Sequence, residues 1–186
     1  MTSSVWNAQE LREHLRLQYR PREIRVLLIA ESPPAGGTFF YAQNSNLAKY
    51  TEVAFRKAYE LPGRIAMGDF LEAFKAAGCY LDDLCLEPVN HMGAASRRKA
   101  WKCGVSLLSE RLAAVSPKPK TIIPVMIAIA SHIGQAAETA GLSKVLKAAI
   151  PFPTHGNQQR YVQGLSKLLV TLRTASILPS KFECVS

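Results

Sequence analysis

Apolar residues fall along this chain in two kinds of pattern. The first is a short unbroken run, at Val26 to Ala30 and again at Thr121 to Ile127, rich in branched side chains. Such runs predict strands buried on both faces of a parallel sheet. Two further stretches, Cys79 to Leu86 and Val145 to Ile150, read as strands on the same grounds.

The second pattern places apolar residues every three or four positions, which predicts amphipathic helices. Asn7 caps a helix over 7–20 with Leu11 and Leu15 on one face, Leu17 beside them and Pro21 beyond its end. Ser45 or Asn46 opens a helix carrying Leu47, Tyr50, Ala54, Ala58 and Leu61, which Leu61-Pro62-Gly63 breaks. Phe70, Leu71 and Phe74 mark the next, with Gly78 as its stop. Beyond a loop from Pro88 to Ala95, another helix shows Trp101, Val105, Leu108 and Leu112. A helix from about Ile129 to Ala140 ends at Gly141, and Asn157 caps a last one bearing Tyr161, Leu165, Leu168 and Leu172. The tail over 176–186 carries no pattern. Strands alternating with helices predict an α/β fold, a three-layer helix-sheet-helix sandwich around a central four-stranded parallel sheet. At 186 residues the chain is most simply one domain.

Charge changes the picture next. Lys and Arg number 23 against 14 Asp and Glu, a net +9 that favours a polyanion, DNA above all, as partner. No apolar run reaches the roughly 18 residues of a membrane span, and the N-terminus lacks a charged segment followed by an apolar one. We therefore expect a cytoplasmic protein, a monomer without membrane attachment. The cysteines at 79, 85, 103 and 184 form no Cys-x-x-Cys pair, so no metal, cluster or other cofactor is expected. Cys79, Cys85 and Cys103 read as small buried hydrophobes.

Chemistry concentrates where the first strand ends. Glu31 follows Ala30 directly, at the carboxyl end of a buried strand, where open α/β sheets place their ligand crevice. Pro33 and Pro34 stiffen the turn behind it, and Gly36 and Gly37 permit a tight turn before Phe39, Phe40 and Tyr41. Two readings of Glu31 stand side by side. It orients water and stabilises positive charge, or it caps a helix or pairs with an arginine. The aromatic triplet offers a stacking surface, with Phe40 the first choice and Phe39 close behind. Asp82 and Asp83 sit side by side in a strand, so only one of them faces a given cleft. Arg97, Arg98, Lys99 and Lys102 crowd a helix start, where cations oppose the helix dipole.

The order of these features resembles the uracil-DNA glycosylase superfamily from about Ile24 to Leu172. Ala-Glu-Ser-Pro-Pro at 30–34 is similar to the Gly-Glu-Ala-Pro-Gly first motif of its thermostable bacterial and archaeal branch. Tyr-Leu-Asp-Asp-Leu-Cys at 80–85 resembles the strand bearing the family's base-reading Asn, and Phe-Pro-Thr at 152–154 falls where the family has His-Pro-Ser. Asp83 thus stands in place of the Asn and Phe152 in place of the His, both motif glycines are missing, and the cysteine pair of the cluster-bearing branch is absent.

The resemblance implies a uracil-DNA glycosylase-like domain that extrudes a nucleotide and hydrolyses its N-glycosidic bond. Glu31 would activate water. His155, three residues after the missing His, would replace that group or contact phosphate. Pro33, Phe39, Phe40 and Asp83 would hold the base. Arg97, Arg98, Lys102, Asn157 and Arg160 would hold the DNA. An ionised Asp accepts hydrogen bonds but cannot donate, so uracil, with an acceptor beside its N3 donor, is disfavoured against a damaged or non-standard base with adjacent donors. Three readings release that inference: a protonated Asp83, Asp82 as the cleft residue, or a carboxylate engaged by strand-end backbone donors. A catalytically silent nucleic-acid or nucleotide-binding module on the same fold is the alternative function.

Overall fold

The computed structural model describes residues 7–183; the N-terminal residues read for a leader, and Cys184, lie outside the described residues. Asn7 caps α1 (Ala8–Gln18) in a reciprocal capping box with Glu10. β1 (Val26–Ala30) follows, then α2 (Asn46–Ala58) capped by Ser45, α3 (Met67–Ala76), β2 (Cys79–Asp83) and α4 (Ala94–Ala114). β3 (Thr121–Pro124), α5 (Ala130–Thr139) and α6 (Gln158–Thr174) complete the order. Gly78 takes φ +77 just past α3, as a helix stop requires.

The sheet is parallel in the order β2-β1-β3, with Val26 opposite Cys79 on one side and Thr121 on the other. Every residue of β1 is buried. The two crossovers run in opposite directions along the sheet, and right-handed connections of that kind put helices on both faces. α2 packs with α6 and α4 with α5.

The fourth strand does not form as expected. Its segment touches β3 only through two isolated parallel bridges, Ile122 to Leu146 and Val125 to Ile150. Ile122 to Val125 is three steps and Leu146 to Ile150 is four, so the outer segment carries one extra residue, a bulge. Pro124 is the reason: it has no N–H for the ladder at that point. The described sheet therefore has three strands.

Local details depart from the pattern for equally physical reasons. β2 stops at Asp83 and β3 at Pro124, short of Leu86 and Ile127. Leu11 and Leu17 of α1 are 45% and 67% exposed, while Arg16 is buried. The helix lies over two strand carboxylates, so an arginine turns inward. Tyr41 hydroxyl donates to Leu81 O at 2.9 Å and accepts from Leu81 N at 2.7 Å, which covers the free edge of β2. Cys79 and Cys85 are buried, but Cys103 is exposed because α4 turns Gly104 inward. Leu178 and Phe182 of the tail are buried, Phe182 against Phe55 and Tyr59.

Candidate functional site

β1 sends its outgoing connection to β2 on one side, and β2 returns across it to β3 on the other. The point where the connections diverge lies between the ends of β1 and β3, and a crevice opens there. An outer cavity of about 550 Å³ runs between Glu31 and Ser32 after β1, Met126 and Ile127 after β3, and the loop from Pro151 to Asn157. Met126 holds φ +140 at this rim, a backbone state that L side chains rarely adopt. An inner cavity of about 240 Å³ adjoins it, walled by Pro33, Phe39, Phe40, Leu81 and Asp83. Ser32, Pro34, Asn90, Phe152 and Thr154 line both cavities.

Glu31 is almost wholly buried and held by three hydrogen bonds. Arg97 donates from Nε to Oε1 and from Nη2 to Oε2, each at 2.5 Å, and Trp101 Nε1 donates to Oε1 at 2.7 Å. The hydrogen bond to Glu31 raises the Arg97 pKa. A carboxylate offers about four acceptor positions, so one remains open on Oε2. Glu31 is thus an anchored carboxylate paired with an arginine. Arg97 is engaged in that clamp instead of standing free for phosphate. Its exposed neighbours Arg98 and Lys102 line neither cavity.

Close packing of α4 makes the clamp possible. Arg97, Trp101, Gly104 and Leu108 share one helix face, and a Cβ at Gly104 would lie 2.8 Å from Leu84 O. Glycine lets the helix approach the end of β2, which brings Trp101 and Arg97 over Glu31. Trp101 also meets His132 of α5 edge-on, at 5.7 Å between ring centroids.

At the inner cavity Asp83 is 2% exposed, and Arg16 Nη2 donates to its Oδ2 at 2.5 Å. Burial pushes the Asp83 carboxyl up to about 6, with Arg16 pulling it back down. Asp82 points the other way, accepting from Arg111 Nε at 3.0 Å and facing a separate groove. The alternation of the strand therefore gives Asp83, and not Asp82, to the cavity.

Phe39 and Phe40 are 4% and 3% exposed, so the stacking surface they offer is confined to what faces the inner cavity. Three large rings following a glycine pair bury together: Phe40 packs against Phe74 and Tyr41, and Phe39 against Tyr41. Only their cavity-facing surfaces remain. His155 is exposed at φ +51, its Nδ1 3.1 Å from Thr154 Oγ1. Asn157 begins α6, yet its side chain makes no cap bond; its Oδ1 instead accepts from Arg160 Nη1 at 3.4 Å. Arg160 is exposed and lines neither cavity.

Sequence reasoning missed Arg16, Trp101 as a donor, Asn90 and Met126. Asn90 Oδ1 accepts from Ala35 N at 2.9 Å, tying two loops together, and lies in a stretch without any periodic signal. Among the described residues no group of three or more His, Cys, Asp or Glu side chains is arranged to hold a metal, and no helix is long and apolar enough to cross a membrane. No protein-family model matches the chain, and no curated protein matches it.

Proposed function

We propose that the paired cavities bind a nucleotide extruded from DNA and that the protein hydrolyses the N-glycosidic bond of a damaged or non-standard base. The fold is then a divergent uracil-DNA glycosylase-like one. The observation that carries this reading is the placement of an anchored carboxylate, Glu31, beside an outer cavity that adjoins an inner one sized for a ring system. Ligand pockets for whole small molecules span roughly 300–1,000 Å³, so the inner cavity, at about 240 Å³, suits a base and the outer cavity its sugar.

The division of labour follows from the geometry. As the C–N bond breaks, its electron pair leaves with the base and positive charge gathers on the sugar. The Glu31 anion stabilises that charge, and its open Oε2 position orients the water that adds to the anomeric carbon. The water's proton passes to the carboxylate. Arg97 and Trp101 keep Glu31 aimed. His155, at the outer rim, meets phosphate, and the base leaves as an anion that solvent protonates. Pro33, Phe39, Phe40 and Asp83 enclose the base, and Asp83 favours an edge with adjacent donors over uracil. Arg98, Lys102, Asn157 and Arg160 are the phosphate-binding candidates.

The Arg97 clamp itself favours a second reading, a binding module without turnover, because it neutralises the charge that catalysis needs. One experiment separates them: base release from single- and double-stranded oligonucleotides carrying uracil, hypoxanthine, xanthine or alkylated bases, by wild type and by Glu31→Gln. Release by wild type that Glu31→Gln loses, with DNA binding retained, supports the hydrolase. Silence from both, with salt-dependent binding intact, supports the module. Neither release nor binding overturns both.

A further inference from the structure

Arg16 backs the wall of the inner cavity from an element that the site otherwise does not use. Its guanidinium comes from α1, is 4% exposed, and touches two cavity walls from behind. Nη2 donates to Asp83 Oδ2 at 2.5 Å, and the guanidinium carbon stands 5.3 Å from the Phe39 ring centroid. Arg16 itself lines the groove on the far side and not the cavity. Its Nε is buried with no hydrogen-bond partner in the structure. Leaving a guanidinium donor unsatisfied is unfavourable, and an apolar α1 face against the sheet would avoid it. The position is filled by a charge nonetheless.

We infer that Arg16 is a positioning residue that keeps Asp83 ionised and so sets the hydrogen-bonding character of the inner cavity, restricting it to heterocycles whose edge presents adjacent donors. The inference rests on the reading of the cavity as a base site. Its chemistry is simple. An ionised carboxylate only accepts, whereas a protonated one also donates. Burial drives Asp83 toward the protonated form, and Asp82 and Glu31 add negative charge that does the same. Arg16 opposes them from α1 and Arg111 from α4. Arg111 is engaged with Asp82 Oδ2 and the Asp83 carbonyl, so Arg16 is the cation on the Asp83 carboxylate itself. Removing Arg16 converts an acceptor wall into a donor-acceptor wall, the pattern that an amide would offer.

The test uses the full chain in three forms, wild type, Arg16→Met and Arg16→Lys, with guanosine and inosine as probes. These nucleosides differ only in the exocyclic amino group. Two quantities are measured: titration of the Asp83 carboxyl by NMR without ligand, and the affinity ratio of the probes by calorimetry. Wild type should titrate near 6 and prefer guanosine about tenfold at pH 7.5. In Arg16→Met the titration should move upward and the preference fall to about unity, while Arg16→Lys should retain most of both. Wild type at pH 5 should lose the preference in the same way, which keeps the test intact if Arg16→Met fails to fold. An Asp83 titration that ignores Arg16→Met overturns the inference whatever binds. So does a guanosine preference unchanged in Arg16→Met, or unchanged in wild type at pH 5. If Asp83 responds but wild type binds neither nucleoside, the base-site reading fails, and the proposed selectivity fails with it.

Discussion

Two carboxylate-arginine pairs stand at the ends of neighbouring strands, Glu31 with Arg97 after β1 and Asp83 with Arg16 at the end of β2. Their chemistry is alike and their exposure to water is not. The Arg97 side chain is 29% exposed against 9% for that of Glu31, whereas the side chains of Arg16 and Asp83 are 5% and 3% exposed. Solvent therefore reaches the guanidinium of the outer pair, while the inner pair is sealed within the wall. The same pairing of a carboxylate with an arginine is thus partly solvated in one place and walled off from water in the other.

That contrast predicts a ranking. Arg16→Met should lower stability most, by about 3–5 kcal/mol in urea denaturation, because it strands a buried carboxylate. Replacing Asp83 by Leu in the same chain should recover much of that loss, since removing both charges leaves none unpaired. Arg97→Met should cost less, about 1.5–3 kcal/mol, as solvent reaches Glu31 in its place. Equal losses for the two arginines would break the comparison. Gly104→Ala should cost about 1–3 kcal/mol in urea denaturation through the clash with Leu84 O.

The inner pair also carries a pH signature. The Asp83 pKa lies above the ordinary carboxylate value, so its contribution to stability is fully present below about 4 and is lost as pH rises through about 6. Asp83→Asn should remove that part of the slope in denaturation curves taken across this window. The smallest effect belongs to Asn157→Ala, within about 0.5 kcal/mol, because the side chain caps nothing.

How much of this was legible depends on whether one residue or several decide the outcome. β1, the helix cap at Asn7 and the stop at Gly78 were readable because local backbone demands dictate them, and the same demands narrowed the cap of α2 to Ser45 or Asn46. The position of Glu31 was readable because a strand's end is a local fact. Its clamp was not, since Arg97 meets it only when Gly104 lets a distant helix approach. Arg16 was invisible for a related reason: helical spacing puts Leu11 and Leu15 on the apolar face with Leu17 beside them, and only the carboxylates of a strand more than sixty residues away turn Arg16 inward instead. The fourth strand was overread because its apolar content is right and the obstacle, Pro124, sits in its neighbour.

Pro124 has one more consequence, for motion. Lys147 N and Ile150 N donate to β3 at 2.8 and 3.0 Å, with a bulged stretch between them instead of a continuous ladder. Segments held by few backbone bonds open locally at lower free energy than the core. The amides of Lys147 and Ile150 should therefore exchange hydrogen faster than those of Val26–Ala30. The Pro151–Asn157 loop hangs from this segment, so the crevice has one stiff jaw, anchored through β1, and one compliant jaw.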